Sequence, residues 1–558
     1  MATAARVPAL LAVYAAAGGA LLAALPPPAS PLEVAPQLSA RSAPAPAWRL
    51  APPPTPAAPL PAPVPPRVFL VGEAVRVSGD RPDVPHVEPF LAAHPDDAET
   101  LFGAAVSFPD ADPRRGIEET AVAGFRSSDG GGSWVRVRFR ECLVDPWVSF
   151  GKGADLYLAC LVRGGAIAVY RSTDAGRSWS SPVHPSGAAG GAGRSADHPI
   201  LAVDRSAGPR GGTVYVAFAR QLPPARHRRG LFGTAVTTSR DGGRTFSAPA
   251  FLRRDELNQQ PFDAAVLTDG SLVVLFMDYA SDRQPRARSR AWAARSADGG
   301  RSFTIAALPF PLAGRRLPLP LAADRSAAHR DRLYVAAAGQ QPGEDREGGP
   351  LGALAAPGQQ ARQDRDDGPS GALSAPGSGG LRLFRSADGG RSWTGAGIVA
   401  CGPPAAGGQP AAGGCGSPRA ASPAGAGASP AAGARTPAVR SQPAADGCET
   451  PAVAVGGGGV VGVAWYGIRR EVRGDCFDVF FSASLDGGDT WLPAVRVTPE
   501  TSCPRAGSFP RVASRWPFGG DYSGLAAGAG GRFRLFWADS RTGVYQVWTA
   551  TVEVTGSP

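Results

Sequence analysis

Short apolar runs, each bounded by glycine, aspartate or proline, recur from about Val68 to Val554. Ala166–Tyr170, Thr213–Phe218 and Ser271–Phe276 are examples, and no amphipathic helical stretch of useful length separates them. Runs rich in Val, Tyr and Phe between turn residues predict strands. They come in groups of four. A run such as His198–Asp204 is first, one such as Thr213–Phe218 second, one such as Phe477–Phe481 third and one such as Ala494–Thr498 fourth. Between the third and fourth stands a motif, S-x-D-x-G-x-[ST]-[WF], in six copies built on Asp129, Asp174, Asp241, Asp298, Asp388 and Asp486. Repetition of a four-strand unit predicts an all-β propeller of antiparallel blades.

The motif has a turn's chemistry. Its aspartate accepts N–H groups across a hairpin, its glycine supplies a positive φ, and its aromatic residue buries between sheets. Because the six aspartates fall on separate blades, they read as structural and not as catalysts or calcium ligands. The final unit has no box and offers three strands, Tyr522–Ala527, Arg532–Trp537 and Tyr545–Ala550. Ala74–Ser78 nearly repeats Ala494–Thr498, so an N-terminal strand is expected to complete that blade and close the ring. Seven blades follow, with a six-bladed ring as the alternative.

Composition then marks what lies outside the blades. Residues 1–25 pair Arg6 with the apolar run Val7–Leu25, followed by three prolines. This reads as an export signal or, failing cleavage, an N-terminal anchor. Residues 26–66 are Pro/Ala-rich and read as a linker. The propeller is placed at 67–558, with disordered insertions at about 340–380 and 401–447, where large apolar residues are scarce. The net charge of +10 comes almost wholly from arginine, since Lys152 is the sole lysine, and the arginines are scattered singly. That spread excludes the dense basic run of a nucleic-acid binder. Seven cysteines without a CxxC pair suit disulfides in an exported chain, not zinc. Cys142 with Cys160 is expected to staple neighbouring blades. No metal or cofactor is expected, and the chain is expected to be a monomer, touching a membrane only through an uncleaved anchor.

The six boxes are similar to the Asp-box, or bacterial-neuraminidase, repeat, and the chain from Val68 to Val554 resembles the sialidase-like propeller superfamily. The resemblance implies exo-acting glycoside hydrolysis of a terminal anionic sugar, with an arginine triad, an Asp acid/base and a Tyr nucleophile assisted by Glu. The alternative is a non-catalytic propeller binding glycan or protein at the cell surface. Such sialidases also carry a Phe-Arg-Ile-Pro type tetrapeptide, and none occurs here.

Propeller topology puts the box turns on one rim and a ligand mouth on the other, where first strands begin and second strands end. Read at those positions, Arg220, Arg469 and Arg541 would clamp an anionic group in two-point fashion. Asp197 or Asp145 would be the acid/base, and Tyr466 the nucleophile with Glu449 as its activating carboxylate. Asp521 and Tyr522 would contact the substrate, a glycan or glycoconjugate, sialylated in the first reading.

Overall fold

The computed structural model describes residues 69–109, 120–185, 195–222, 231–253, 258–279, 289–312, 318–338, 380–399, 401, 447–469, 476–504 and 517–555. The expected signal, linker and nearly all of both expected insertions lie outside them. The described chain forms seven antiparallel sheets, each a blade. Blade 1 opens with His86–Ala93, blade 2 with Cys142–Phe150, blade 3 with Ala196–Val203 and blade 4 with Asn258–Val266. Leu321–Ala323, Gly447–Val455 and Gly524–Ala527 open blades 5, 6 and 7. In blades 1 to 6 the strands follow chain order, so every neighbour is a hairpin partner, whereas blade 7 sets chain-first strands beside its last one. Second strands such as Leu156–Val162 and Val461–Arg469 are buried on both faces because a blade lies on either side.

The ring closes as the pattern predicts, with one refinement. Two short N-terminal strands, Phe69–Val71 and Val75–Arg76, pair with the last strand of blade 7, Gln546–Val554. Ser78 then donates to Gln546 Oε1 at 2.6 Å, and Asp80 holds Arg136 of blade 1 through two bonds of 2.6 and 2.8 Å. The start of the described chain therefore ties blade 7 to blade 1.

The box hairpins repeat one set of bonds. In blade 3, Asp241 Oδ1 accepts from Ser239 Oγ at 2.7 Å, Arg244 N at 3.0 Å and Thr245 N at 2.9 Å. Asp241 Oδ2 accepts from Thr245 Oγ1 at 2.5 Å. Asp129, Asp174, Asp298, Asp388 and Asp486 likewise accept from the residue four positions on, both N–H and hydroxyl. The second box glycine does more than turn the chain. It sits against the second strand of the preceding blade, so a Cβ at Gly176 would lie 2.7 Å from Phe102, and one at Gly243 3.0 Å from Tyr157. Gly390 meets Val273 in the same way, Gly488 meets Tyr334, and Gly131 meets Arg534 across the closure. Each hairpin is thus a latch on its neighbour. The box aromatic adds to it: Trp179 packs edge-on to Phe102 and Phe139 of blade 1, and Trp491 donates to Ala396 O of blade 5.

Hydrogen bonds from hydroxyl and backbone hold the carboxyls of Asp129, Asp174, Asp388 and Asp486 down to about 2, against burial that opposes it. A carboxyl depressed on folding stabilises fully above its unfolded range, and that contribution is lost as pH falls through the folded value. The melting temperature is therefore expected to fall as pH drops from about 4 to about 2, with calorimetry as the readout. At neutral pH, Asp241→Ala is expected to cost about 1–3 kcal/mol in a denaturant melt.

Candidate functional site

Opposite the boxes, the first strands share a feature that builds the mouth. Each of Glu88, Asp145, His198 and Thr450 precedes a proline and has a positive φ, of 52, 53, 54 and 47° respectively. The pairing register slips at the same place, between Val87 and Phe90, Val144 and Trp147, Asp197 and Ile200, and Glu449 and Ala452. Proline has no N–H for a ladder, and the first strand is the free edge of its sheet, so the bulge is tolerated there. A bulge re-aims its side chain. The left-handed conformation costs about 1–3 kcal/mol at a non-glycine residue, and is least natural for β-branched Thr450. The surrounding scaffold must hold all four in place.

Tyr522 stands where these positions meet. Its hydroxyl lies 3.2 Å from Asp145 Oδ1 and 3.0 Å from His198 Nδ1. With the phenol donating to Asp145, its oxygen accepts Nδ1–H of His198, a proton chain across blades 7, 2 and 3. The tyrosine ring lies edge-on to Trp147, with centroids 6.0 Å apart, and Trp147 packs against Phe90, tilted by 32°, with centroids 4.0 Å apart. Burial pushes the Tyr522 phenol well above its ordinary range, and the charges of Asp145, Glu88, Asp521 and Asp197 push the same way. Two glycines bring the loop carrying Tyr522 this close: a Cβ on Gly520, at φ 116°, would lie 2.4 Å from Glu88, and one on Gly519 2.3 Å from Ala538. Ser523 Oγ then donates to Thr450 O at 3.1 Å, tying the loop to blade 6.

Of the residues picked from sequence, Asp145, Asp197, Asp521 and Tyr522 come together. Glu449 is half-buried on blade 6, paired across the ladder with Tyr466. Tyr466 does not reach the mouth, which corrects its expected role as nucleophile. It is 1% exposed between blades 6 and 7, its ring 4.9 Å from Phe477, and its hydroxyl accepts Ala538 N–H at 3.1 Å. Burial drives that phenol far above the ordinary tyrosine range. Nor is the arginine clamp assembled. Arg469 is bound to Asp478, which it shares with Arg496, and Arg541 is bound to Asp539 and stacked 4.5 Å over Trp548. These pairs close inside single blades, where a low-dielectric wall favours a carboxylate partner over an empty cavity. Arg220 is half-buried at the end of its strand, paired in the ladder with Ala196 and Gly233.

Glu88, His198 and Trp147 belong to the cluster and were not picked as site residues. Their signal was the recurrence of an X-Pro step inside a first strand. Asp263 also went unnoticed: its oxygens accept Ala264 N and Leu321 N, each at 2.7 Å, bridging blades 4 and 5, and burial pushes its carboxyl up to about 7. Three disulfides lie toward the mouth rim. Cys401–Cys448 joins blade 5 to blade 6, and Cys476–Cys503 ties the third strand of blade 6 to the segment leaving that blade. Cys142–Cys160 links the first two strands of blade 2, so it staples one blade and not two.

No family model matches the sequence, and no curated protein matches it. Among solved structures, the chain is similar to the Hadza microbial sialidase Hz136, at 14% identity and a TM-score of 0.40, over 80% of this chain and 75% of that one. It is similar to Trypanosoma rangeli sialidase at 10% identity and a TM-score of 0.37, over 76% of this chain and 56% of that one. It is also similar to Penicillium chrysogenum alpha-L-arabinanase, at 13% identity and a TM-score of 0.37, over 59% and 86% of the two chains. At these values the likeness is one of fold, and the propeller assignment rests on the seven sheets themselves.

Removing the Tyr466 hydroxyl leaves Ala538 N–H buried without its acceptor. Tyr466→Phe is expected to lower stability by about 1–3 kcal/mol in a denaturant melt and to leave ligand binding at the mouth unchanged in calorimetric titration.

Proposed function

We propose that the axial mouth is the active site of an exported glycoside hydrolase acting on a glycan. The observation that carries this reading is the Tyr522 phenol bonded to Asp145 and His198 amid the charges of Glu88, Asp197 and Asp521. Like charges gathered around a buried phenol, on strained backbone, oppose folding stability, and such arrangements concentrate at functional sites. In this mechanism the Tyr522 oxygen attacks the anomeric carbon as Asp145 takes its proton. The C1–O bond to the leaving group breaks, and Asp197, protonated when the substrate binds, gives its proton to the departing oxygen. Water then attacks C1 as the Asp197 carboxylate takes its proton, the C1–O bond to Tyr522 breaks, and Asp145 returns its proton to the phenol. The phenol reacts from its neutral form, because its surroundings oppose a resting phenolate.

The sugar is one held by hydroxyl or amino groups. A carboxylated sugar would meet carboxylates at the mouth, while Arg469 and Arg541 are already committed to Asp478 and Asp539. The three disulfides support an oxidising compartment, in keeping with export. A second reading, glycan binding without turnover, is favoured by the burial of Tyr522, which is 9% exposed.

Fluorogenic exo-glycosides, neutral, amino and sialylated, and a glycan array separate these readings. Hydrolysis predicts turnover of a non-sialylated substrate that falls by at least about 100-fold in both Tyr522→Phe and Asp145→Asn. Glycan binding without turnover in the wild type selects the second reading. Turnover confined to sialosides overturns the assignment of sugar class, and equal turnover in wild type and Tyr522→Phe removes the phenol from the mechanism.

A further inference from the structure

The face opposite the mouth carries an ordered set of charges. In blades 2 to 5 the box places an arginine two residues before its aromatic: Arg177, Arg244, Arg301 and Arg391, all exposed. The corresponding residues are Gly132 in blade 1 and Asp489 in blade 6, and blade 7 has no box, so the arginines occupy one continuous arc. They are not loose. Arg177, Arg244 and Arg391 each donate from Nη1 to the carbonyl of their own box aspartate, at 3.3, 2.6 and 2.7 Å. Each guanidinium is thereby fixed outward with further N–H groups to offer. The box aspartates do not cancel them at the surface, because those carboxylates are half-buried and turned into their own hairpins. Other acids on the arc are engaged too: Asp155 with Arg171, Asp269 with Arg295 and Asp331 with Thr268.

Two more arginines follow the first strands of blades 3 and 5 on the same face. Arg325 Nη2 donates to Val266 O of blade 4 at 2.7 Å. Burial first, and the Arg325 charge second, bring the Arg205 guanidinium down to about 10, with Asp96 opposing them, and Asp331 and Asp204 support the Arg325 charge.

The described chain also enters at this face, since Phe69 pairs with Val554, the end of the third strand of blade 7. Sixty-eight residues precede Phe69, among them the apolar run Val7–Leu25. We propose that the box face of blades 2 to 5 docks on an anionic lipid bilayer, with Arg177, Arg244, Arg301 and Arg391 against the headgroups and the mouth turned away from it. A planar charged surface matches an arc of outward cations on one face of a ring, and basic residues near such a surface each contribute to attraction.

The test is flotation of the full chain with phosphatidylcholine vesicles, with and without phosphatidylglycerol. Any insertion of the apolar run contributes to both, so the readout is the ratio of the two affinities. The wild type is expected to favour phosphatidylglycerol by at least roughly tenfold, with the preference lost at high salt. Changing all four arc arginines to glutamine should abolish the preference. Changing exposed Arg76, Arg138, Arg140 and Arg290, which lie off the arc and remove the same charge, should preserve it. Matching melting temperatures for both variants show that neither effect is unfolding. A wild type without preference, a preference that survives the arc variant, or an equal loss in the control variant overturns the proposal. So does arc-dependent binding of soluble heparin without vesicle binding, which would make the partner a polyanion in solution. Mouth activity reads independently of each of these outcomes.

Discussion

Everything in this molecule depends on one repeated contact, the seating of a box hairpin on the second strand of the preceding blade. A single four-stranded blade has two apolar faces and cannot bury either alone. The hairpin solves this locally. Its aspartate folds the turn onto itself, its second glycine removes the one atom that would collide with the neighbour, and its aromatic residue fills the seam. Where the box is missing, in blade 7, the seam with blade 6 is filled by Phe69 of the N-terminal strand and by Phe533, both packed on Phe481, while the Asp80–Arg136 pair adds to the blade 1 latch at the closure.

This division of labour frees the other rim. With blades latched at the box face, first strands at the mouth tolerate bulges, prolines and left-handed residues that a sheet interior would reject. Glu88, Asp145, His198 and Thr450 occupy one structural position in four blades, and Gly519 and Gly520 let the loop bearing Tyr522 close against them. The disulfides lie toward the same rim, where the connections between blades 5, 6 and 7 are longest. A rigid face thus supports a chemically crowded one.

Much of this was legible along the chain. The repeat of strands and boxes implies radial blades, and the near-identity of Ala74–Ser78 with Ala494–Thr498 implies how the ring shuts, because backbone pairing and turn chemistry are local and periodic. Strand polarity within a blade also places Asp145, Asp197, Asp521 and Tyr522 on one rim. The choice among tyrosines was not legible. Tyr466 and Tyr522 both sit at mouth-side positions, yet one hydroxyl is spent on Ala538 N–H and the other meets Asp145 and His198.

By itself, then, the sequence determined the blade, narrowed the count to seven or six, and determined the rim on which polar groups collect, since these follow from period, turn residues and strand polarity. Tertiary structure alone decided which of those groups are free to act. Arg469 and Arg541 look available as letters but are held by Asp478 and Asp539. Those partnerships depend on which side chains packing brings within about 3 Å in a low-dielectric wall, where an unpaired charge is too costly to leave exposed to nothing. Such pairings have no period, and a one-dimensional pattern carries no record of them.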